Sequence, residues 1–283
     1  MSKKLIIPSN LKMIRRFKNK IDGYIIGIDG LSVNMPCYFK LDEAVNIIKK
    51  YSDKEIFISL NKNMHDSDLE PLKKVLLKLN KTKVKGIIFY DISIVNLTKE
   101  LNLSLNLVWN QEHMTNSYFT VNYWYEHDVN YTWLSNDIML DEIKEIRKNT
   151  KSILMLQLFG YVPMFTSYRH LVDNYLKTYK LKPKKEYYIE KENKAYFIVD
   201  DKRGTTVYSN NILNGLKESL ELLDIEYIVL NSYEIQDDCF EIVLELFNNV
   251  NDKNKKEYSE IINNMFGNTD SGFLYKETVY KVK

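Results

Sequence analysis

The sequence predicts a TIM-like (β/α)8 barrel with a small β-meander inserted between strands seven and eight. Two features carry that expectation. Short β-rich apolar runs alternate with amphipathic stretches for most of the length, which implies right-handed βαβ crossovers and a parallel sheet. The chain has 283 residues, enough for one barrel of about 250 residues. An open doubly wound sheet carries the same alternation, so closure is left to the tertiary structure.

The elements follow in order. Residues 5–7 read as the first strand, and Leu11, Ile14, Phe17 and Ile21 mark one face of the helix after it. Strand two, 24–28, ends on Asp29-Gly30 and leads to a helix carrying Ala44, Val45, Ile47 and Ile48. Strand three, 56–60, precedes a helix with Leu69, Leu72, Leu76 and Leu79 on one face. Strand four, 86–90, ends on Asp91. Strands five (105–109) and six (131–134) flank an aromatic helix through Phe119, Tyr123 and Trp124. A helix at 138–148 and strand seven at 153–159 follow. The period then breaks. Residues 187–189, 195–199 and 205–209 read as a three-stranded meander, with turns at Glu192-Asn193-Lys194 and Asp201-Lys202-Arg203-Gly204. Leu213, Leu216, Leu220 and Leu223 predict a helix, ahead of strand eight at 227–230 and its helix at 240–247. The predicted organisation is a barrel domain over 1–250 that includes the β insertion at 186–209. A polar, basic tail over 251–283 then docks on the barrel through Gly272-Phe273-Leu274-Tyr275.

Hydrophobic residues make up 45% of the chain and the formal net charge is +2, which argues against a dedicated DNA-binding protein. Positive charge is nevertheless gathered in two places. Lys12, Arg15, Arg16, Lys18 and Lys20 crowd the first helix; Lys177, Lys180, Lys182, Lys184 and Lys185 cluster beside Tyr175 and Tyr179. Such clusters can hold a phosphate backbone, making Arg15, Arg16, Lys180, Lys182 and Lys184 candidate nucleic-acid contacts. The competing reading is two solvated helix faces. No stretch approaches the roughly 20 apolar residues of a membrane span. The start, Met1-Ser2-Lys3-Lys4 before only Leu5-Ile6-Ile7-Pro8, is too short for a signal peptide. Cys37 and Cys239 offer no disulfide framework and no CxxC spacing. A cytoplasmic location without membrane contact is the expectation.

Familiar catalytic signatures are missing from the sequence. It holds no GxGxxG, P-loop, HExxH or GxSxG, and His65, His113, His127 and His170 lack metal-ligand spacing. No metal site is predicted. What remains is a set of polar residues at the ends of strands: Asp29, Asn61 with Asn63, Asp91, Gln111 with His113, Asn136-Asp137, Tyr161 and Asn231. In a barrel the chemistry sits at that end, in the βα-loops. Gln111, His113, Asn116, Asp137, Tyr161 and Arg169 are expected around one concavity, because each follows strand five, six or seven. Arg169 offers a planar fork to a carboxylate or phosphate. Each has a plainer reading beside the functional one. Asp137 and Asp91 can be helix caps, and Arg169 can be a surface residue in a turn capped by Ser167.

Two segments carry a family resemblance. Gln111-Glu112-His113-Met114-Thr115-Asn116, after a strand and opening an aromatic helix, resembles the Ser-Thr-Gln-x-x-x-Thr-Asn motif of peptidase family U-32, the collagenase-like peptidases, with Asn110 where Thr is usual. The likeness continues from Leu134 to Ile143, where the family's Arg-Glu is replaced by Asn136-Asp137. Leu158-Phe159-Gly160-Tyr161-Val162-Pro163-Met164, running into Ser167-Tyr168-Arg169-His170-Leu171, is similar to short, cluster-free members from low-GC Gram-positive bacteria. So is the ending Ser271-Gly272-Phe273-Leu274-Tyr275. Larger relatives hold an iron–sulfur cluster on cysteines after strand seven. Met164, Phe165, Thr166 and Ser167 stand there in this chain, and two cysteines cannot supply a four-cysteine site. The family's Glu-Gly-Arg near strand eight is replaced by Leu230-Asn231-Ser232.

The resemblance implies several functions. The family name implies proteolysis, yet a peptidase needs an activated nucleophile or a metal-bound water, and the residues assemble neither convincingly. Other relatives act in prephenate-dependent hydroxylation of the tRNA wobble uridine or in ubiquinone hydroxylation, and short members resemble partner subunits of a longer paralogue. The expectation is therefore a subunit for tRNA wobble-uridine hydroxylation, with tRNA and a longer paralogue as partners, prephenate as co-substrate and no cofactor evident. A collagenase-like peptidase and a catalytically silent scaffold are the alternatives. Gln111, His113 and Asp137 are the catalytic candidates; Asn61, Asp91, Asn116, Tyr161 and Arg169 are the substrate-binding ones.

Overall fold

The computed structural model describes residues 2–111 and 114–276. The first half repeats strand and helix: β1 (Lys3–Ile7), α1 (Leu11–Phe17), β2 (Gly23–Ile28), a two-residue β3 (Tyr38–Phe39), α2 (Leu41–Lys50), β4 (Glu55–Leu60), α3 (Asp66–Leu79), β5 (Gly86–Phe89) and α4 (Ser93–Glu100). The repeat continues through β6 (Leu107–Asn110), α5 (Tyr118–Glu126), β7 (Tyr131–Trp133), α6 (Leu140–Lys148) and β8 (Ile153–Gly160). An excursion follows, made of β9 (Pro163–Ser167), α7 (Leu171–Tyr179), β10 (Tyr187–Lys191), β11 (Lys194–Asp201) and β12 (Gly204–Tyr208). The chain returns through β13 (Ile212–Asn214), β14 (Tyr227–Asn231), α8 (Asp237–Asn249), α9 (Lys255–Phe266) and β15 (Thr269–Asp270).

The sheet closes. β14 pairs in parallel with β1 on one side, Val229 opposite Leu5, and with β8 on the other, Ile228 opposite Leu156. The circuit β14-β1-β2-β4-β5-β6-β7-β8 is thus a parallel barrel, and the open sheet is ruled out. Side chains alternate across each strand, so one set points to the axis and the other to the helices. Leu5, Ile25, Phe57, Ile88, Val108, Met155 and Val229 fill the axis. Their neighbours Ile6, Ile26, Ile58, Ile87 and Leu154 meet the helical layer. Helix α3 buries Leu72, Val75, Leu76 and Leu79, one stripe at helical spacing. Each such fully buried side chain contributes about 1.5–3 kcal/mol.

The N-terminal end of the barrel is closed by charge. The Glu55 carboxylate takes the Lys3 ammonium at 2.7 Å and that of Lys85 at 3.1 Å, with the Tyr227 hydroxyl beside them. Burial pushes this carboxyl up, but the bonds from Lys3, Tyr227 and Lys85 outweigh it and hold it below its ordinary range. Tyr227 is also ringed by Phe57 and Tyr131.

Three sequence expectations need correction. The leucine-spaced helix over 213–223 is absent. Ile212–Asn214 is a strand antiparallel to β8, and only Glu218–Leu220 turns, as a 3-10 helix. Gly215 explains why: its amide donates to the Leu158 carbonyl at 2.8 Å, and a Cβ there would sit 2.9 Å from the Leu158 side chain. Asn214 is held in turn by Ser259 and Asn263 of α9. Next, the meander is four-stranded, in the order β10-β11-β12-β9, because β12 also pairs with β9. The excursion therefore begins at Pro163, well before residue 186. Finally, part of the polar stretch after residue 251 is the helix α9, which packs on α8 and β13.

Candidate functional site

At the C-terminal end of the barrel lies a cavity of about 730 Å³. Its lining follows from strand register. The axial positions of β4, β5, β6, β8 and β14 continue past the apolar layer as Ser59 and Asn61, Tyr90, Asn110, Gln157 and Asn231. A two-residue period thus carries each of these strands from hydrocarbon to a polar side chain at the mouth, an amide on all but β5. Ile25, Met35 and Trp133 form an apolar floor. Asn116, Asn136, Asp137 and Glu142 come from the loops and helix beside β6 and β7, while Phe273 and Lys276 come from the C-terminal segment.

Several of these amides are framework. Asn61, 5% exposed, accepts from the Val33 amide and donates to the Val33 carbonyl, both at 3.0 Å, which pins the loop after β2. Asn231 donates to the Tyr161 carbonyl at 3.3 Å and accepts from the Tyr233 amide at 3.0 Å. Gln157 donates to the same Tyr161 carbonyl at 3.0 Å. Asn34 donates to the Thr166 hydroxyl and accepts from that of Thr206, tying the barrel rim to β9 and β12. A hydroxyl from Ser135 donates to the Asp137 carboxylate.

The excursion is clamped over this rim. Asp29 pairs with Lys202 at 3.0 Å and with Arg203 at 2.7 Å, and these cations, Lys202 foremost, hold its carboxyl below the usual range. The Arg203 guanidinium lies 3.3 Å from the Tyr38 ring centroid. Phe197, Tyr208 and Tyr233 stack, at 4.6 and 4.5 Å between successive centroids, which joins the second sheet to the loop after β14.

The sequence-predicted residues divide. Asn61, Asn116 and Asp137 line the main cavity. Gln111 lines a smaller neighbouring one of about 230 Å³, with Lys62, Tyr90 and Tyr168. Asp91 caps, accepting from the Ser93 amide at 2.9 Å and the Met64 amide at 3.0 Å. Tyr161 gives its carbonyl to the rim, but its ring packs on Phe197 and its hydroxyl accepts from Asn268. Arg169 is exposed and outside the cavity; its amide donates to the Ser167 hydroxyl and its carbonyl accepts from Thr205, so the turn into α7 points it to solvent. The expectation that Arg169 and the Tyr161 side chain share one concavity with Asp137 is therefore corrected, while Gln111 lies in an adjoining one that shares Asn61, Tyr90 and Met164 with the main cavity. His113 lies outside the described residues. Asn34, Asn110, Trp133 and Gln157 were missed as lining residues. A signal existed for Gln157, a polar residue inside the run Ile153–Gly160 at the same parity as Met155.

The two basic clusters differ in kind. Arg16 pairs with Asp238 and Glu241, and Lys20 with Glu241 and Glu245, so much of the α1 charge is neutralised by α8. Lys180, Lys182 and Lys184 are exposed, on an arm whose helix α7 buries no residue, beside exposed Tyr175 and Tyr179.

Fold and mouth define a (β/α)8-barrel protein with a polar cavity at the C-terminal ends of its strands, where barrels carry ligands. The chain belongs to peptidase family U32, whose model matches residues 17–278. It is similar to tRNA hydroxylation protein P2 of Bacillus subtilis, at 27% identity over 263 residues, 84% of each chain. An uncharacterized protease of Methanocaldococcus jannaschii is 30% identical over 127 residues, 44% of this chain and 30% of that protein. Among solved structures, N-(5'-phosphoribosyl)anthranilate isomerase from Pyrococcus furiosus is 10% identical with a TM-score of 0.44, over 93% of this chain and 99% of that one. Among the described residues no helix is long and apolar enough to cross a membrane.

Proposed function

We propose that this protein is a subunit of a tRNA-modifying system that hydroxylates the wobble uridine, with prephenate as co-substrate and a longer paralogue of the same family as partner, in the cytoplasm. The observation that carries this reading is the similarity to tRNA hydroxylation protein P2 across 84% of both chains. The arm supports it physically. Exposed lysines at 180, 182 and 184 can neutralise phosphates, and Tyr175 and Tyr179 offer faces for base stacking. The test is mass spectrometry of tRNA nucleosides from a strain lacking this gene. Loss of the hydroxylated wobble uridine, restored by the gene supplied in trans, is the expected outcome. An unchanged nucleoside profile with every paralogue's contribution removed would refute it.

A further inference from the structure

We propose that the barrel mouth binds an uncharged ring presenting a hydrogen-bond donor and acceptor side by side, a pyrimidine nucleoside, and that it does not hold the carboxylate co-substrate. The inference rests on the RNA-modification reading and names which reactant this barrel takes.

Asn110 and Asn116 carry it. Both line the cavity, one at the end of β6 and the other in the connection to α5. Among the described residues neither side-chain amide makes a hydrogen bond, in contrast to Asn61 and Asn231, which have both ends engaged. An unengaged primary amide offers one acceptor and two donors in a plane, the complement of the amide-like edge of a neutral base. The apolar floor at Trp133 and Met35 gives such a ring a flat surface to rest on, as enzymes do for a base taken out of its stack. A cavity of about 730 Å³ leaves room for base and ribose together.

The charges around the mouth favour the neutral ligand. Asp137 and Glu142 stand on the wall. Among the described residues, the cations nearby have acidic partners: Lys276 with Asp270 at 3.5 Å, Lys62 with Asp68 at 2.8 Å, and Arg203 with Asp29 and Asp201 at 2.7 and 2.8 Å. A dicarboxylate would meet like charge and would have to break one of these pairs, whereas a neutral ring needs neither.

The experiment is calorimetric or saturation-transfer binding of uridine and of prephenate to the purified full-length chain. Uridine is expected to bind saturably with little dependence on salt, and prephenate neither to bind in the mouth nor to displace it. Asn110→Ala and Asn116→Ala are each expected to weaken uridine by about tenfold, the scale of a paired amide–base contact. Asn116 is exposed, so its truncation leaves the fold intact, and Lys253→Glu, on the exposed turn between α8 and α9, serves as a control with unchanged uridine binding. Displacement of uridine by prephenate, no uridine binding, or binding unaltered in both amide variants would each overturn the proposal. The nucleoside profile of the deletion strain separates the two readings. A lost modification without uridine binding sinks only the assignment of the mouth; uridine binding with an intact modification sinks only the tRNA role.

Discussion

Gly160 is where β8 leaves the barrel, and its φ of +103° is a conformation that side chains rarely adopt. A Cβ there would lie 2.3 Å from the Asn231 carbonyl oxygen. Gly160→Ala should therefore destabilise by more than the about 1–3 kcal/mol of a strained residue, since β14 must also shift. Urea denaturation checks this, and a midpoint equal to that of the parent chain would contradict the reading. Glu55 makes a second residue-scale case. Its bonds to Lys3, Lys85 and Tyr227 exist for the charged carboxylate, and its folded pKa is lowered. The stability it contributes is therefore present above the unfolded pKa, about 4.3, and is lost as pH falls through the lower folded value. Glu55→Gln should cost about 1–3 kcal/mol near neutral pH, and the gap between variant and parent should close on acidification below pH ~4. A gap that widens in acid would reverse the sign of this argument.

At the scale of elements, the arm and the strand ends separate what composition shows from what pairing decides. The lysines at 180, 182 and 184 were legible as a cluster, and exposure leaves them available; the α1 cluster was equally legible, but α8 supplies the acids that pair with Arg16 and Lys20. No local signal in α1 reveals that, because the partners lie over two hundred residues away. Charge reversal at Lys180, Lys182 and Lys184 should thus weaken tRNA binding far more than the same change at Lys253, Lys255 and Lys256. The parent's log–log salt slope should lie between roughly −3 and −4 for about four phosphate contacts. Filter binding across a salt series reads both, and equal losses in the two variants would mean generic electrostatics. The strand β9 was illegible for a related reason. Its residues are half-buried or exposed, so no clean alternation marks it, and only pairing with β12 makes it a strand.

On the whole molecule, the family name and the site point in different directions. The chain belongs to a peptidase family, yet amides from Asn61, Asn110, Asn116, Asn136, Gln157 and Asn231 line the mouth. Purified protein should show no measurable hydrolysis of gelatin or collagen, with or without added divalent metal. A turnover that survives repurification and disappears in Gln111→Ala would restore the peptidase reading. The barrel and most of its strands were determined by the sequence alone, because a two-residue period inside the barrel and a helical period outside it are local properties written in apolar residues. Strand-end polarity likewise marks Asn61 and Asp137, and Asn116 falls in the connection after strand five. Only the tertiary structure decided closure through β14, the seating of the excursion on the rim by Asp29, and which amides remain unengaged. Those outcomes depend on partners far apart in the chain, whose geometry no local period encodes.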